Sequence, residues 1–257
     1  MWGERGTTVS KSPAEEAQAA NAETARAWSL GWQTLAAAFH GPTQQWLEGL
    51  RDGAVTSALS EATRWLGSDR ERFSDALGIS NDFVAKQQVR NVEDVLRDIS
   101  TEYDRLFIGG TGPVQAPPCE SAYGERATAR AAITRGPPTS AVEEFYQRYG
   151  MQPPLSHRDL ADNIATELEF MWFLTQREAD AWEKGEVETA KELRRAQLVF
   201  VDEHLARWLP DFCGRVQSAA RTKLYLALAG ILWEFLEVET RWACRQSTPI
   251  PRHMEAD

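Results

Sequence analysis

Cysteine is scarce: Cys119, Cys213 and Cys244 are the only three, they lie far apart, and no Cys-x-x-Cys pair occurs. That excludes a disulfide scaffold or a zinc ribbon and suits a reducing compartment. Histidine is hardly better placed. His40, His157, His204 and His253 are scattered, with no His-Glu-x-x-His, His-x-His or Glu-x-x-His, so neither zinc nor a di-iron carboxylate centre finds its ligand spacing. Positive charge also runs short. With 28 Lys and Arg against 38 Asp and Glu, the net charge is −10. Such a chain does not neutralise a phosphate backbone, which argues against nucleic acid, but it suits a basic partner such as an Arg-rich peptide.

Long apolar runs are missing too. The longest, Leu224 to Leu236, contains Glu234 and lies between Lys223 and Glu237, so it reads as a buried helix rather than a membrane span. Met1 to Glu23 has no apolar centre and carries Glu15 and Glu16, unlike a signal peptide. No Walker-type or dinucleotide-type glycine motif occurs. Gly109, Gly110 and Gly112 are followed by no Lys or Arg before Arg126, which makes a poor phosphate cradle. Nucleophilic catalysis has no support either. Ser121 follows Glu120 with no histidine nearby in sequence, and Cys119, which a loop would expose, has no positive group beside it. Glu167 and Glu169, two apart on a helix, point about 200° apart and do not form an acid–base pair. The residues therefore favour a binding protein over an enzyme.

What is present is helical pattern and bulk. Hydrophobic residues make up 42%, with ten Trp and ten Phe to build a core. Apolar residues recur at three and four from about Ala14 to Phe39, ending at Gly41-Pro42. Short helices follow between 43 and 85, one closed by Gly67 and one by Gly78. A longer helix is expected over about Gln87 to Phe107, with Val89, Val92, Leu96, Ile99, Tyr103 and Leu106 on one face. The Gly/Pro-rich loop 109–123 follows, then helical signals at 125–134 and 140–149. Ser156, with Asp159 at N3 and a Leu155–Leu160 staple, reads as the N-cap of a helix running to about Lys184. That helix is apolar nearly all round and should lie centrally. Two more helices are expected, at about 186–208, ended by Pro210, and at about 218–245. His204 falls on the apolar face of the first and reads as a core histidine. No βαβ alternation appears. The expected fold is all-α: one globular domain of about ten helices over 14–247, with an arm at 1–13 and a tail at 248–257. A two-lobed arrangement divided at the loop is the alternative.

Three segments stand out together: Glu102 to Gly109, leading through the loop to Pro117-Pro118-Cys119-Glu120-Ser121-Ala122-Tyr123; Asp162 to Met171; and His204 to Phe212. In this order they resemble the TorD/DmsD/NarJ family of cytoplasmic maturation chaperones for molybdenum-cofactor enzymes. The resemblance covers about residues 90–240. It implies an all-helical fold and no catalysis; separately, the residues lead to the expectation of no cofactor and no metal site. It further implies binding of the N-terminal leader, often a twin-arginine signal, of an apo molybdopterin oxidoreductase catalytic subunit. The chaperone would hold that subunit until the molybdenum cofactor is inserted, as a monomer or dimer without stable membrane insertion.

The candidate peptide-binding residues are Tyr103, Leu106, Phe107, Pro117, Pro118, Cys119, Glu120, Tyr123, Asp162, Asn163, Thr166 and Glu169. Asp162, Thr166 and Glu169 would form a polar stripe, continued by Phe173, that suits a cationic segment. Asp162→Ala is then expected to weaken leader binding with the fold intact. The plain alternative makes Tyr103, Leu106 and Phe107 ordinary core and Asp162 a solvated side chain. Two positions depart from the family pattern: Asn163 replaces a histidine and Cys119 an aromatic residue. On the residues alone, a helical scaffold or regulatory adaptor unrelated to metalloenzymes stays open.

Overall fold

In the computed structural model, residues 12–64, 70–110, 112–123, 137–152 and 160–247 are described. The first helix, α1 (Pro13–Phe39), opens with a reciprocal cap: Ser12 Oγ accepts from the Glu15 amide, and the Glu15 carboxylate accepts from the Ser12 amide. Then come α2 (Gln44–Arg51), α3 (Ala54–Arg64), α4 (Arg70–Gln87), α5 (Val92–Tyr103), α6 (Pro137–Tyr149), α7 (Ile164–Lys184), α8 (Val187–Phe200), α9 (Ala206–Ala219) and α10 (Lys223–Ser247). π-Helical turns, Asp104–Ile108 and Val201–Leu205, extend α5 and join α8 to α9. The fold is all-α, and no strand occurs among the described residues. The expected arm, tail and 125–134 helix fall largely or wholly outside the described residues.

Helix α7 is the centre, as its all-round apolar pattern required. It packs along the length of α1 and against α8. Four polar contacts fix α1 antiparallel to it: Gln18 with the Trp182 carbonyl, Arg26 with Asp180 and Glu183, Ser29 with Gln176, and His40 with Glu169. Helix α10 crosses α4 and α9. Trp28, Trp32 and Phe73 meet the ring of Phe235 edge-on, at centroid distances of 5.2, 5.3 and 5.5 Å. Gly31 makes room there, since a Cβ would fall within the edge of that ring.

The element boundaries correct several expectations. Gly78 does not end a helix; α4 passes through it because Phe73, Ala76, Leu77, Ser80 and Val84 are buried on one side. The helix expected from Gln87 instead starts at Val92, where Asn91 caps it, and Val89 is 92% exposed. Pro210 lies inside α9. An interior proline costs about 3 kcal/mol, but burial of Trp208, Leu209, Phe212, Cys213 and Val216 returns roughly 1.5–3 kcal/mol for each large side chain. The helix expected from Ser156 begins only at Ile164, capped by Asn163. Leu155, Ser156 and Asp159 lie outside the described residues, whereas Leu160 to Asn163 form a turn.

Candidate functional site

The loop after α5 is pinned from both ends. Gly109, at φ +99°, closes the π turn by donating its N–H to the Asp104 carbonyl, a conformation that favours glycine. The Ala116 amide returns to the Leu106 carbonyl at 2.8 Å. The chain then meets the start of α7 through a single antiparallel bridge between Cys119 and Asn163. The Glu120 amide donates to the Asp162 carbonyl and the Ile164 amide to the Pro118 carbonyl. Asn163 caps α7 by accepting from the Ala165 amide at 3.0 Å, a task suited to asparagine.

Around this bridge sits a polar knot. Asp162 has no exposed surface. Its Oδ2 accepts from the Ser121 amide at 2.9 Å and its Oδ1 from the Thr139 hydroxyl at 3.1 Å. His204 Nδ1 lies 2.9 Å from Glu120 Oε2. Its ring sits among Phe145 and Phe200, with centroids 5.4 and 4.9 Å away. One turn on, Trp208 Nε1–H donates to Glu167 Oε2 at 3.1 Å. The other oxygen of Glu167 has no partner among the described residues. Burial, reinforced by the nearby Glu120 and Asp162 carboxylates, pushes the Glu167 carboxyl well above the ordinary range; the Trp208 hydrogen bond opposes this only in part. Burial therefore favours the neutral form of Glu167. Three carboxyl groups and one imidazole thus join the loop, α6, α7 and the α8–α9 junction.

Eleven of the twelve sequence-derived site residues divide into three groups, and Thr166 is buried within α7. Pro117, Pro118, Cys119, Glu120, Tyr123, Asp162 and Asn163 meet in or beside the knot. Tyr123 donates to the Pro117 carbonyl at 2.8 Å, and its ring lies 5.2 Å from that of Trp208. Tyr103, Leu106 and Phe107 join Phe39, Phe212 and Tyr225 in the core, where Tyr103 Oη donates to the Phe39 carbonyl at 3.0 Å. Glu169 stands apart at the surface, its Oε1 3.0 Å from His40 Nε2. The polar stripe is not formed: Asp162 precedes α7 and is buried, Thr166 is buried, and only Glu169 reaches solvent. Cys119 is buried rather than exposed, and burial, with the nearby Asp162 carboxylate, raises its thiol pKa. His204 is a core histidine, as expected.

Sequence reasoning missed Thr139, Glu167 and Trp208. The one signal was the spacing of His204 and Trp208, which puts both on one helical face. It also missed the surroundings of Glu169. A groove between the end of α1, the start of α2 and α7 is lined by Gln33, His40, Gln45, Trp46, Glu169 and Trp172. No helix among the described residues is long and apolar enough to cross a membrane. No group of three or more potential ligands there could hold a metal ion.

The three segments that build the knot lie within residues 70–214, which match the sequence model of the family described as nitrate reductase delta subunit. The chain belongs to this family. Among curated relatives, the perchlorate reductase assembly chaperone protein of Dechloromonas aromatica is 32% identical over 96 residues, 37% of this chain and 42% of the relative. The selenate reductase assembly chaperone protein of Thauera selenatis is 38% identical over 74 residues, 29% of this chain and 37% of the relative. The chain thus spans less than half the length of these two. The chaperone protein TorD of Photobacterium profundum is 23% identical over 202 residues, 76% of this chain and 89% of the relative. No solved structure matches the chain.

Proposed function

We propose that this protein is a cytoplasmic assembly chaperone rather than an enzyme. Its client is the apo catalytic subunit of a molybdopterin oxidoreductase, whose N-terminal leader it binds while the molybdenum cofactor is inserted. The observation that carries this reading is convergence. The segments that give the family resemblance are separated by about forty residues each, yet Glu120, Asp162 and His204 meet at one bridge. The names of the relatives, assembly chaperones for perchlorate and selenate reductases, support the same reading. So does the acidic balance of the chain, which favours a cationic leader over nucleic acid.

The knot is a scaffold for that binding rather than its contact surface, because its carboxylates are already engaged inside the protein. An affinity pull-down of the tagged chain from native lysate, read by mass spectrometry, tests the function. Recovery of a large molybdopterin oxidoreductase subunit that retains its leader is the expected result. Recovery of unrelated proteins alone, under conditions where such a subunit is expressed, would replace it with the scaffold reading.

A further inference from the structure

We propose that the groove between α1, α2 and α7 takes an arginine of the client's leader, its guanidinium stacked on the indole of Trp172 and paired with Glu169. This rests on the leader-binding function above. The groove has a volume of about 450 Å³, enough for a side chain and its flanking backbone but narrow for a packed helix. Its titratable lining is one carboxylate, Glu169, and one imidazole, His40; both tryptophans are half-buried beside them.

A guanidinium answers each of these features. It is planar and weakly hydrated, so it lies on an indole face, and its fork of N–H groups matches a carboxylate. His40 presents a single ring nitrogen to Glu169 at 3.0 Å, with the two side chains 43% and 33% exposed. An exposed pair of this kind contributes little, so a bidentate partner displaces it readily. Lysine would supply the charge without the fork or the flat face.

The site is preformed. Tyr103 holds the Phe39 carbonyl at the end of α1, Gly41 turns the chain at φ +115° above the Tyr103 ring, and Thr43 caps α2 by accepting from the Trp46 amide at 3.1 Å. Little ordering is left to accompany binding.

The test uses a fluorescent peptide with an Arg-Arg pair followed by a leucine–alanine run, beside Lys-Lys and Gln-Gln versions, titrated into the full chain. Glu169→Gln and Trp172→Ala should each weaken Arg-Arg binding about tenfold, and His40→Gln should strengthen it. The Gln-Gln peptide should bind weakly to the unmodified protein and be indifferent to Glu169→Gln. Glu169→Gln lies at the surface and keeps the side-chain volume, so an unchanged melting temperature is expected to accompany the loss. Arg-Arg binding that is absent, or undiminished by Glu169→Gln, overturns the groove; so does tighter binding of guanosine or pterin than of the peptide with the same sensitivity to Glu169→Gln. Recovery of a reductase subunit by the unmodified chain, in the parallel pull-down, keeps the chaperone function standing if the groove falls. Failure of that recovery removes the function itself.

Discussion

Glu167 and Glu169 leave α7 on opposite sides. Glu167 has no exposed surface and meets the Trp208 indole, whereas Glu169 meets His40 at the protein surface. Two residues of separation on a helix give this divergence directly. The same short stretch therefore serves the interior through one carboxyl group and solvent through the other.

The raised pKa of Glu167 makes stability depend on pH. Its folded pKa lies well above the ordinary 4.5. The unfolded chain then releases this proton first, so the contribution is complete below about 4.5 and declines as pH rises towards the folded value. Glu167→Gln, which cannot ionise, should gain stability relative to the unmodified chain between acid and neutral pH. Urea midpoints measured across that range should diverge with rising pH; parallel curves would show that Glu167 is not protonated in the fold.

Asp162→Ala should destabilise the protein by roughly 2–4 kcal/mol, because it leaves the buried Ser121 amide and Thr139 hydroxyl without their acceptor. This replaces the expectation from sequence that the substitution would weaken leader binding with the fold intact. Chemical denaturation decides between the two, and an unaltered midpoint would return Asp162 to the binding surface.

Arg194 and Glu239 form a bidentate pair between α8 and α10, with N–O distances of 2.9 and 2.6 Å and Glu239 fully buried. Arg194→Met should cost about 3–5 kcal/mol by stranding the carboxylate. Combining it with Glu239→Leu should restore much of that loss. A double variant no better than the single one would mean that packing, not charge, is what the arginine supplies.

Cys119 and Cys213 are buried and unpaired. Burial pushes the Cys213 thiol up to about 12 and raises Cys119 further, so neither provides thiolate at neutral pH. Both should react slowly with Ellman's reagent in the native protein and at once after denaturation. Rapid native labelling of Cys119, located by peptide mapping, would show that the loop opens.

The helices were legible because apolar spacing is strong in α1, α7 and α10. Their breaks were less so, because packing outweighs local preference. Gly78 and Pro210 look like stops, yet the buried residues around each carry the helix through. Val89 fits the phase of Val92 and Leu96 but belongs to a turn; Asn91, followed by Glu93 and Asp94, was the overlooked start signal. At the site, the motif segments identified which stretches converge. They did not reveal that Asp162 points inward, because a carboxylate before a helix has the same sequence appearance whether it faces Ser121 or water. The meeting of Glu169 and Trp172 with His40 and Trp46 joins α7 to the α1–α2 junction, 129 residues away for the Glu169–His40 pair, and leaves no local trace.

The wide turn at Val201–Leu205 fixes a phase. His204 reaches Glu120 from within it, and Trp208 reaches Glu167 from the turn beyond. Deleting one residue between Val201 and His204 would let α8 and α9 run on as a regular helix, and because the five residues of the π turn sweep about the same arc as four α-helical residues, everything after the deletion would keep nearly its present phase. The imidazole and the indole would stay opposite their carboxyl partners and Phe212 in the aromatic core, whereas the same deletion elsewhere in α8 would rotate them all by about 100°. The segment thus absorbs one residue of length, and natural variants should tolerate a single deletion here far better than within α8 or α9.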